Sequence, residues 1–347
     1  PDGLAALARL EQHLGEHVTD RSPNRLTLSL PTSADDDPAI EERERLTALS
    51  TIEPLRVLAG TEIDHPHLPL EAGTFAFDYL STFESLPEVD QGANTCPDYL
   101  FYDARIILVV DHPTQEATLV GASVDAVDLE SRMNALAAAI DDATDEPVDG
   151  ADGSEAPSAS AAAAGCPVLH AEPTISDADF EAVVETMRGY IADGDIYQVV
   201  PSRGFTIACP DTLAAYHVLR QANPSPYMFY VRGQSAGEAY ELFGASPESN
   251  LKFTADTRIV ELYPIAGTRP RGLDPDGSVN HELDIRAELE LRTDAKEISE
   301  HTMLVDLARN DLARVAVPAT RRVASPDEVQ LDSSTRKTVL KPVHSRF

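Results

Sequence analysis

Residues 141–165, DDATDEPVDGADGSEAPSASAAAAG, carry seven acids and no base, and end in almost nothing but small residues. Such a run cannot bury enough apolar surface to offset the entropy of ordering it, so a mobile linker or surface excursion is expected here. It divides the 347 residues into an amino-terminal part, 1–140, and a carboxyl-terminal part, 169–347, joined through 141–168. With 42% hydrophobic residues the chain is long enough for a large core, about two domains by length.

The charge balance excludes several partners. Against 27 lysines and arginines stand 59 aspartates and glutamates, a net charge of −32, which repels nucleic acid and anionic membrane surfaces. Acid clusters such as Asp35, Asp36 and Asp37 point to a solvated acidic surface of the halophilic type. No apolar run approaches the roughly 18 residues of a membrane span, and the start, PDGLAALARL, lacks the layout of a signal peptide. A cytoplasmic protein is therefore expected, and the absent initiator Met points to lost upstream sequence. Cys96, Cys166 and Cys209 are far apart and odd in number, so neither a zinc site nor a disulfide framework is indicated.

The elements are mixed. Residues 105–110 (RIILVV) and 117–120 (ATLV) flank a turn at Asp111, His112 and Pro113 and read as a hairpin. Ser176 opens a capping-box-like helix start that should run to Gly194, after which 196–202 (IYQVVPS) reads as a strand. Strand signals recur at 227–231, 240–243, 250–253 and 258–263. A long helix pattern then covers about 295–315, with Ile298, Met303, Leu304, Leu307, Ala308 and Leu312 as candidate core residues. Without strict βαβ alternation, the fold class is α+β with antiparallel pairing.

Three segments carry chemistry. In KEISEHTMLVDLARNDLARV, Glu297 and Glu300 lie at i,i+3 and His301 at i+4, so all three are expected on one side of the helix. Two carboxylates on a rigid helix suit a hard cation such as Mg²⁺, although the same spacing describes a solvated acidic face. In YPIAGTRPRG an apolar strand ends in a Gly267-Thr268 turn where backbone N–H groups and a hydroxyl can hold a carboxylate, with Arg269 and Arg271 adding charge. A strand-ending turn with exposed arginines is the plain alternative. In GASPES, Glu248 follows Pro247 at a strand end and can serve as base, acid or ligand, or simply start a helix.

Taken in order, NPSPYMF (223–229), GASPES, YPIAGTRPRG and KEISEHTMLVDLARNDL resemble the chorismate-utilising enzymes, and among them anthranilate synthase component I. The amino half agrees more loosely, through FDYL (77–80), ESLP (84–87) and CPD (96–98). Two positions separate the close relatives. Aminodeoxychorismate synthase typically has Lys where this chain has Ala266, and the water-activating isochorismate and salicylate synthases place a Lys base where this chain has Gln198. A neutral Gln198 leaves water unactivated and suits ammonia, already a good nucleophile.

The resemblance implies two antiparallel-rich sheets packed together and flanked by helices. It implies that Gly267 and Thr268 bind chorismate, that Glu300 holds Mg²⁺ with support from Glu297, and that Glu248 acts as an acid–base or orienting residue. Ammonia would come from a glutamine amidotransferase subunit, add at C2 as the C4 hydroxyl leaves, and pyruvate would then be eliminated to give anthranilate. Tryptophan would inhibit through Pro226, Tyr227 and Met228.

The resemblance fades after residue 333, where the chain reads SSTRKTVLKPVHSRF. Lys341 stands near the place of the family's elimination histidine, and His344 does not match it. The chain is thus expected to lack the family's carboxyl-terminal part, to leave apolar surface and strand edges uncovered, and to be inactive alone. Aminodeoxychorismate synthase component I, or a non-catalytic fragment that binds the amidotransferase, are the alternatives.

Overall fold

The computed structural model describes residues 2–32, 41–60, 63, 65–87, 96–145, 171–235, 237–323, 329–331, 336–340 and 343–346. The expected linker lies outside them except at its start. By contacts the chain groups into two units, Pro1–Val148 with Ser225–Phe347, and Asp149–Pro224.

The first unit begins with helix α1 (Asp2–Leu14), hairpin strands β1 (Val18–Ser22) and β2 (Arg25–Leu28), and helices α2 (Glu42–Thr47) and α3 (Glu53–Ala59). Strand β3 (Leu70–Phe75) pairs antiparallel with β4 (Tyr99–Ala104). Gly73 is required in that pair, because a Cβ there would lie 2.7 Å from the backbone of Phe101. Phe75, Tyr79, Tyr99 and Phe101 form an aromatic cluster with centroids 4.8–6.3 Å apart, a separation at which ring quadrupoles favour tilted contacts. The hydroxyl of Tyr99 donates to the Thr51 carbonyl at 2.8 Å and so pins the cluster to the turn before α3. The expected hairpin is present as β5 (Ile106–Asp111) and β6 (Glu116–Gly121). Helix α4 (Ala126–Asp145) follows and continues through the first acids of the expected linker, since no breaker occurs before Pro147.

In the second unit β7 (Glu172–Pro173) pairs with β8 (Phe205–Thr206) around helix α5 (Asp177–Asp193), and α6 (Thr212–Ala222) follows. The ends of α5 are set as its sequence demands. The Ser176 hydroxyl accepts the Asp179 N–H, and Gly194 stops the helix in the left-handed conformation at φ 84°. The stretch 196–202 is not a strand. It finds no partner strand among the described residues, and Tyr197 and Val200 stay 91% and 82% exposed; a short apolar run specifies a strand only when an edge receives it.

The first unit resumes with strands β9 (Tyr227–Ser235) and β10 (Glu238–Ser246), a hairpin in continuous register turning at Gly237, whose φ is 91°. Next come β11 (Lys252–Thr254), β12 (Ile259–Leu262), β13 (Ile265–Pro270), helices α7 (His281–Thr293) and α8 (Ala295–Val315), and strands β14 (Arg322–Val323), β15 (Val329–Leu331), β16 (Arg336–Leu340) and β17 (Val343–Arg346). The sheets run β11-β12-β17-β14 and β13-β16-β15. The edges of β12 and β13, expected to be left open, are therefore covered by the tail strands β17 and β16.

Every strand pairing among the described residues is antiparallel, as the α+β reading requires. Among the described residues the strands pair in seven small sheets, five of them two-stranded. The core of the second half is Val260 on β12 against Ala308 and Leu312 on α8. Ile298 and Leu307, expected to face this core, are 46% and 52% exposed. At about 100° per residue the buried stripe of α8 runs His301, Ala308, Leu312, in line with half-buried Glu297, and residues 298 and 307 fall off it. No helix among the described residues is long and apolar enough to cross a membrane.

Candidate functional site

The site is built where β13 lies along α8 and α7. Asp294 caps α8: its Oδ1 accepts the N–H groups of Lys296 at 2.9 Å and Glu297 at 3.2 Å. The cap fixes Glu297 in the first turn of the helix, on the stripe that faces β13. Gly267 lies opposite. A Cβ at that position would fall on Glu297 Oε2 and lie 2.5 Å from its Cδ, so the absent side chain is what admits the carboxylate. Gly267 and Thr268 do not form the expected strand-ending turn: β13 runs on to Pro270, with an irregularity in its pairing between Ile265 and Thr268, because β16 continues the ladder past them. Thr268 is exposed, and Glu300 is half-buried one turn along α8.

His301 does not join these two carboxylates as a third site residue. It is 4% exposed and belongs to the packed stripe of the helix, because the i+4 position continues the line of Glu297 into the core. Among the described residues there is no group of three or more His, Cys, Asp or Glu placed to hold a metal. Glu297 and Glu300 lie one turn apart on α8, and carboxylates are the donor type that could hold a hard cation keeping waters or substrate oxygens in its remaining positions.

Arg269 and Arg271, expected to add charge for a ligand, are engaged by acids of the protein. Arg271 Nε and Nη2 donate to the two oxygens of buried Asp284 at 2.9 and 3.1 Å, and the Gly272 N–H adds 3.0 Å to Oδ1. Such forked charge-assisted bonds fix the far end of the GTRPRG segment on α7. Arg269 reaches three carboxylates: Nε donates to Glu290 at 3.0 Å, Nη2 to Asp294 at 3.1 Å, and Nη1 to Glu297 Oε1 at 3.3 Å. Nη1 also donates to the Thr268 carbonyl at 3.0 Å. Asp284, Glu290 and Asp294 were not singled out from the sequence. The signal lay in HELDIRAELELRTD, where acids recur after two closely spaced arginines.

Glu248 sits in a turn held by Ser246, whose hydroxyl donates to the Glu248 carbonyl at 3.0 Å. Its Oε1 accepts the Ile265 N–H at 3.0 Å, which carries the exposed carboxylate to the start of β13, two residues before Gly267. Glu248, in the segment after β10, is thus bonded to the start of β13, which carries Gly267 and Thr268 and lies against the α8 end that carries Glu297 and Glu300.

Pro226, Tyr227 and Met228 lie at the start of β9, with Tyr227 paired to Ser246 and Met228 to Ala245. The Tyr227 ring also acts on Tyr263, whose hydroxyl donates to Glu261 at 2.9 Å. Burial, the bond to Glu261 and these neighbouring charges push the Tyr263 hydroxyl up to about 12. Gln198 is carried by the second unit on its exposed, non-strand stretch.

The chain matches the family model described as chorismate binding enzyme over residues 24–334. It is 41% identical over 333 residues to anthranilate synthase component 1 of Escherichia coli, covering 94% of this chain and 61% of that protein. It is 44% identical over 297 residues to the Salmonella typhimurium protein of the same name, covering 84% and 54%. The pyocyanine-specific component 1 of Pseudomonas aeruginosa is 43% identical over 330 residues, covering 93% and 58%. This chain therefore spans a little over half the length of the curated relatives it matches. In fold it is similar to anthranilate synthase component I from Streptococcus pneumoniae, with TM-score 0.68 over 93% of this chain and 64% of that one, at 24% identity. A family match through residues 24–334 shows that this protein belongs to the chorismate binding enzymes.

Proposed function

We propose that this protein acts as the large subunit of an anthranilate synthase, taking chorismate and ammonia to anthranilate and pyruvate at the start of tryptophan biosynthesis. The observation that carries the reading is the strand-to-helix contact of Gly267 with Glu297, which sets the irregular stretch of β13 against a carboxylate in the first turn of α8. The component 1 relatives at 41–44% identity support it, as do Ala266 and Gln198.

In this reading Gly267 and Thr268 take a substrate carboxylate at the irregular stretch of β13, through the Thr268 hydroxyl and the backbone there. Mg²⁺, when bound, would be held by Glu300 and Glu297 and would neutralise that carboxylate's charge. Glu248 is tethered through Oε1, which leaves Oε2 to deliver a proton to the departing C4 hydroxyl. The C2–N bond forms as the C4–O bond breaks and the ring double bonds shift, and the hydroxyl leaves as water. Loss of the C2 proton then breaks the C3–O bond, the enolpyruvyl group takes a proton at its methylene carbon and departs as pyruvate, and the ring becomes aromatic. Gln198 is uncharged and so offers no base that would activate water.

A glutamine amidotransferase subunit is the proposed source of ammonia. Tryptophan is the proposed inhibitor, acting at Pro226, Tyr227 and Met228, and the cytoplasm is the proposed location. The test is calorimetric titration of chorismate into the protein with Mg²⁺ present, with mass identification of any aromatic product formed from added ammonium. Binding with anthranilate as product supports the reading. Aminodeoxychorismate as product would move the protein to the other branch, and no binding would overturn both.

A further inference from the structure

Two arginines two residues apart on and beside β13 are treated differently by the fold. Arg271 is closed in a one-to-one pair with Asp284, both side chains largely buried. Arg269 instead answers three acids from three places: Glu290 in the last turn of α7, Asp294 at the junction, and Glu297 in the first turn of α8. Glu297 is also one of the two carboxylates proposed to hold Mg²⁺. The guanidinium takes its Oε1, while Oε2 is the oxygen lying on Gly267. Nη1 is further tied to the carbonyl of Thr268, so the same cation is locked to the stretch of β13 proposed for substrate.

We propose that Arg269 is the built-in counter-cation of this site: by holding Glu297 Oε1 it sets how weakly Mg²⁺ binds, and it leaves Oε2 as the oxygen presented at Gly267. This rests on reading Glu297 and Glu300 as the metal-holding residues. A neighbouring unit positive charge opposes a divalent ion strongly enough, even in a water-like dielectric, to shift its affinity by about tenfold. The planar fork is what the arrangement needs. A lysine keeps the charge but reaches fewer acids at once. Arg269 touches no reacting atom in this account; it acts through Glu297 as a positioning residue.

The experiment is calorimetric titration of MgCl₂, without substrate, into the full chain and five variants checked by circular dichroism. Arg269→Gln is expected to bind Mg²⁺ about tenfold more tightly than the parent. Arg286→Gln removes an equal charge from α7, where Arg286 pairs with exposed Glu282, and should change nothing. Glu290→Gln lies at a largely exposed partner of Arg269 and should fold even if Arg269→Gln does not. It leaves the arginine less compensated, and Mg²⁺ should bind several-fold more weakly than to Glu282→Gln. The proposal is overturned if folded Arg269→Gln binds Mg²⁺ no more tightly than the parent, or if Glu290→Gln behaves as Glu282→Gln does. Absence of Mg²⁺ binding to the parent and to Arg269→Gln alike would overturn the metal reading and the proposal with it. Mg²⁺ binding that Glu300→Gln removes but Arg269→Gln leaves unchanged would sink the role of Arg269 alone.

Discussion

Gly267 and Glu297 fit together because residue 267 has no side chain: a Cβ there would lie 2.5 Å from Glu297 Cδ and 3.0 Å from its Cγ, and would fall on Oε2. The strand and the helix come from separate motifs of the sequence, and this contact joins them into one site.

Gly267→Ala should therefore expel the Glu297 carboxylate from its place. The side chain is long enough to swing aside, so the stability cost should stay near that of overpacking, about 1–3 kcal/mol. Chorismate and Mg²⁺ affinity should fall at least about tenfold, as for a lost charge-assisted contact. Urea unfolding and calorimetry on the same preparation check the two parts separately.

The Arg271 and Asp284 pair predicts a different outcome. Asp284→Ala leaves a buried guanidinium and the Gly272 N–H without their acceptor. Breaking a buried pair from one side costs about 3–5 kcal/mol. The urea midpoint should drop accordingly, and a variant as stable as the parent would show that the pair is dispensable.

Tyr263 gives a pH signature. Its hydroxyl is pushed up to about 12, by burial first and by the bond to Glu261 next. An unfolded tyrosine loses its proton near pH 10, so the folded state holds a proton that the unfolded state has released. Stability should then be unaffected below pH ~10 and fall as pH rises from ~10 toward ~12. In a tyrosinate absorbance titration, Tyr263→Phe should lack the last step seen in the parent.

A net charge of −32 should make stability depend on salt. Repulsion among exposed carboxylates is screened as the Debye length shrinks from about 10 Å at 0.1 M to about 3 Å at 1 M salt. The thermal midpoint by circular dichroism is expected to rise in molar KCl. An unchanged midpoint would remove the halophilic reading of the acidic surface.

Much of this architecture was legible because its signals are local. The ends of α5 were readable from Ser176 and Gly194, and the 295–315 pattern matches α8 residue for residue behind the Asp294 cap. The 196–202 stretch was misread because its apolar run says nothing about whether a partner edge arrives. Leu307 was misplaced for a similar reason, since a helix with apolar residues on several sides does not reveal which side its neighbours cover. Of the site, Gly267, Thr268, Glu297 and Glu300 were visible as motif words. The acids that capture Arg269 and Arg271 were not, because they act across separations of 13 to 28 residues that only the packing of β13 on α7 and α8 brings together.

The central claim is that β13 and the start of α8 form a chorismate site. Its most direct test is the chorismate titration in the presence of Mg²⁺, run on the parent, Thr268→Ala and Glu300→Gln with circular dichroism confirming equal folding. Saturable binding by the parent that each substitution weakens at least about tenfold is the predicted result. Chorismate affinity in both variants equal to that of the parent would contradict it.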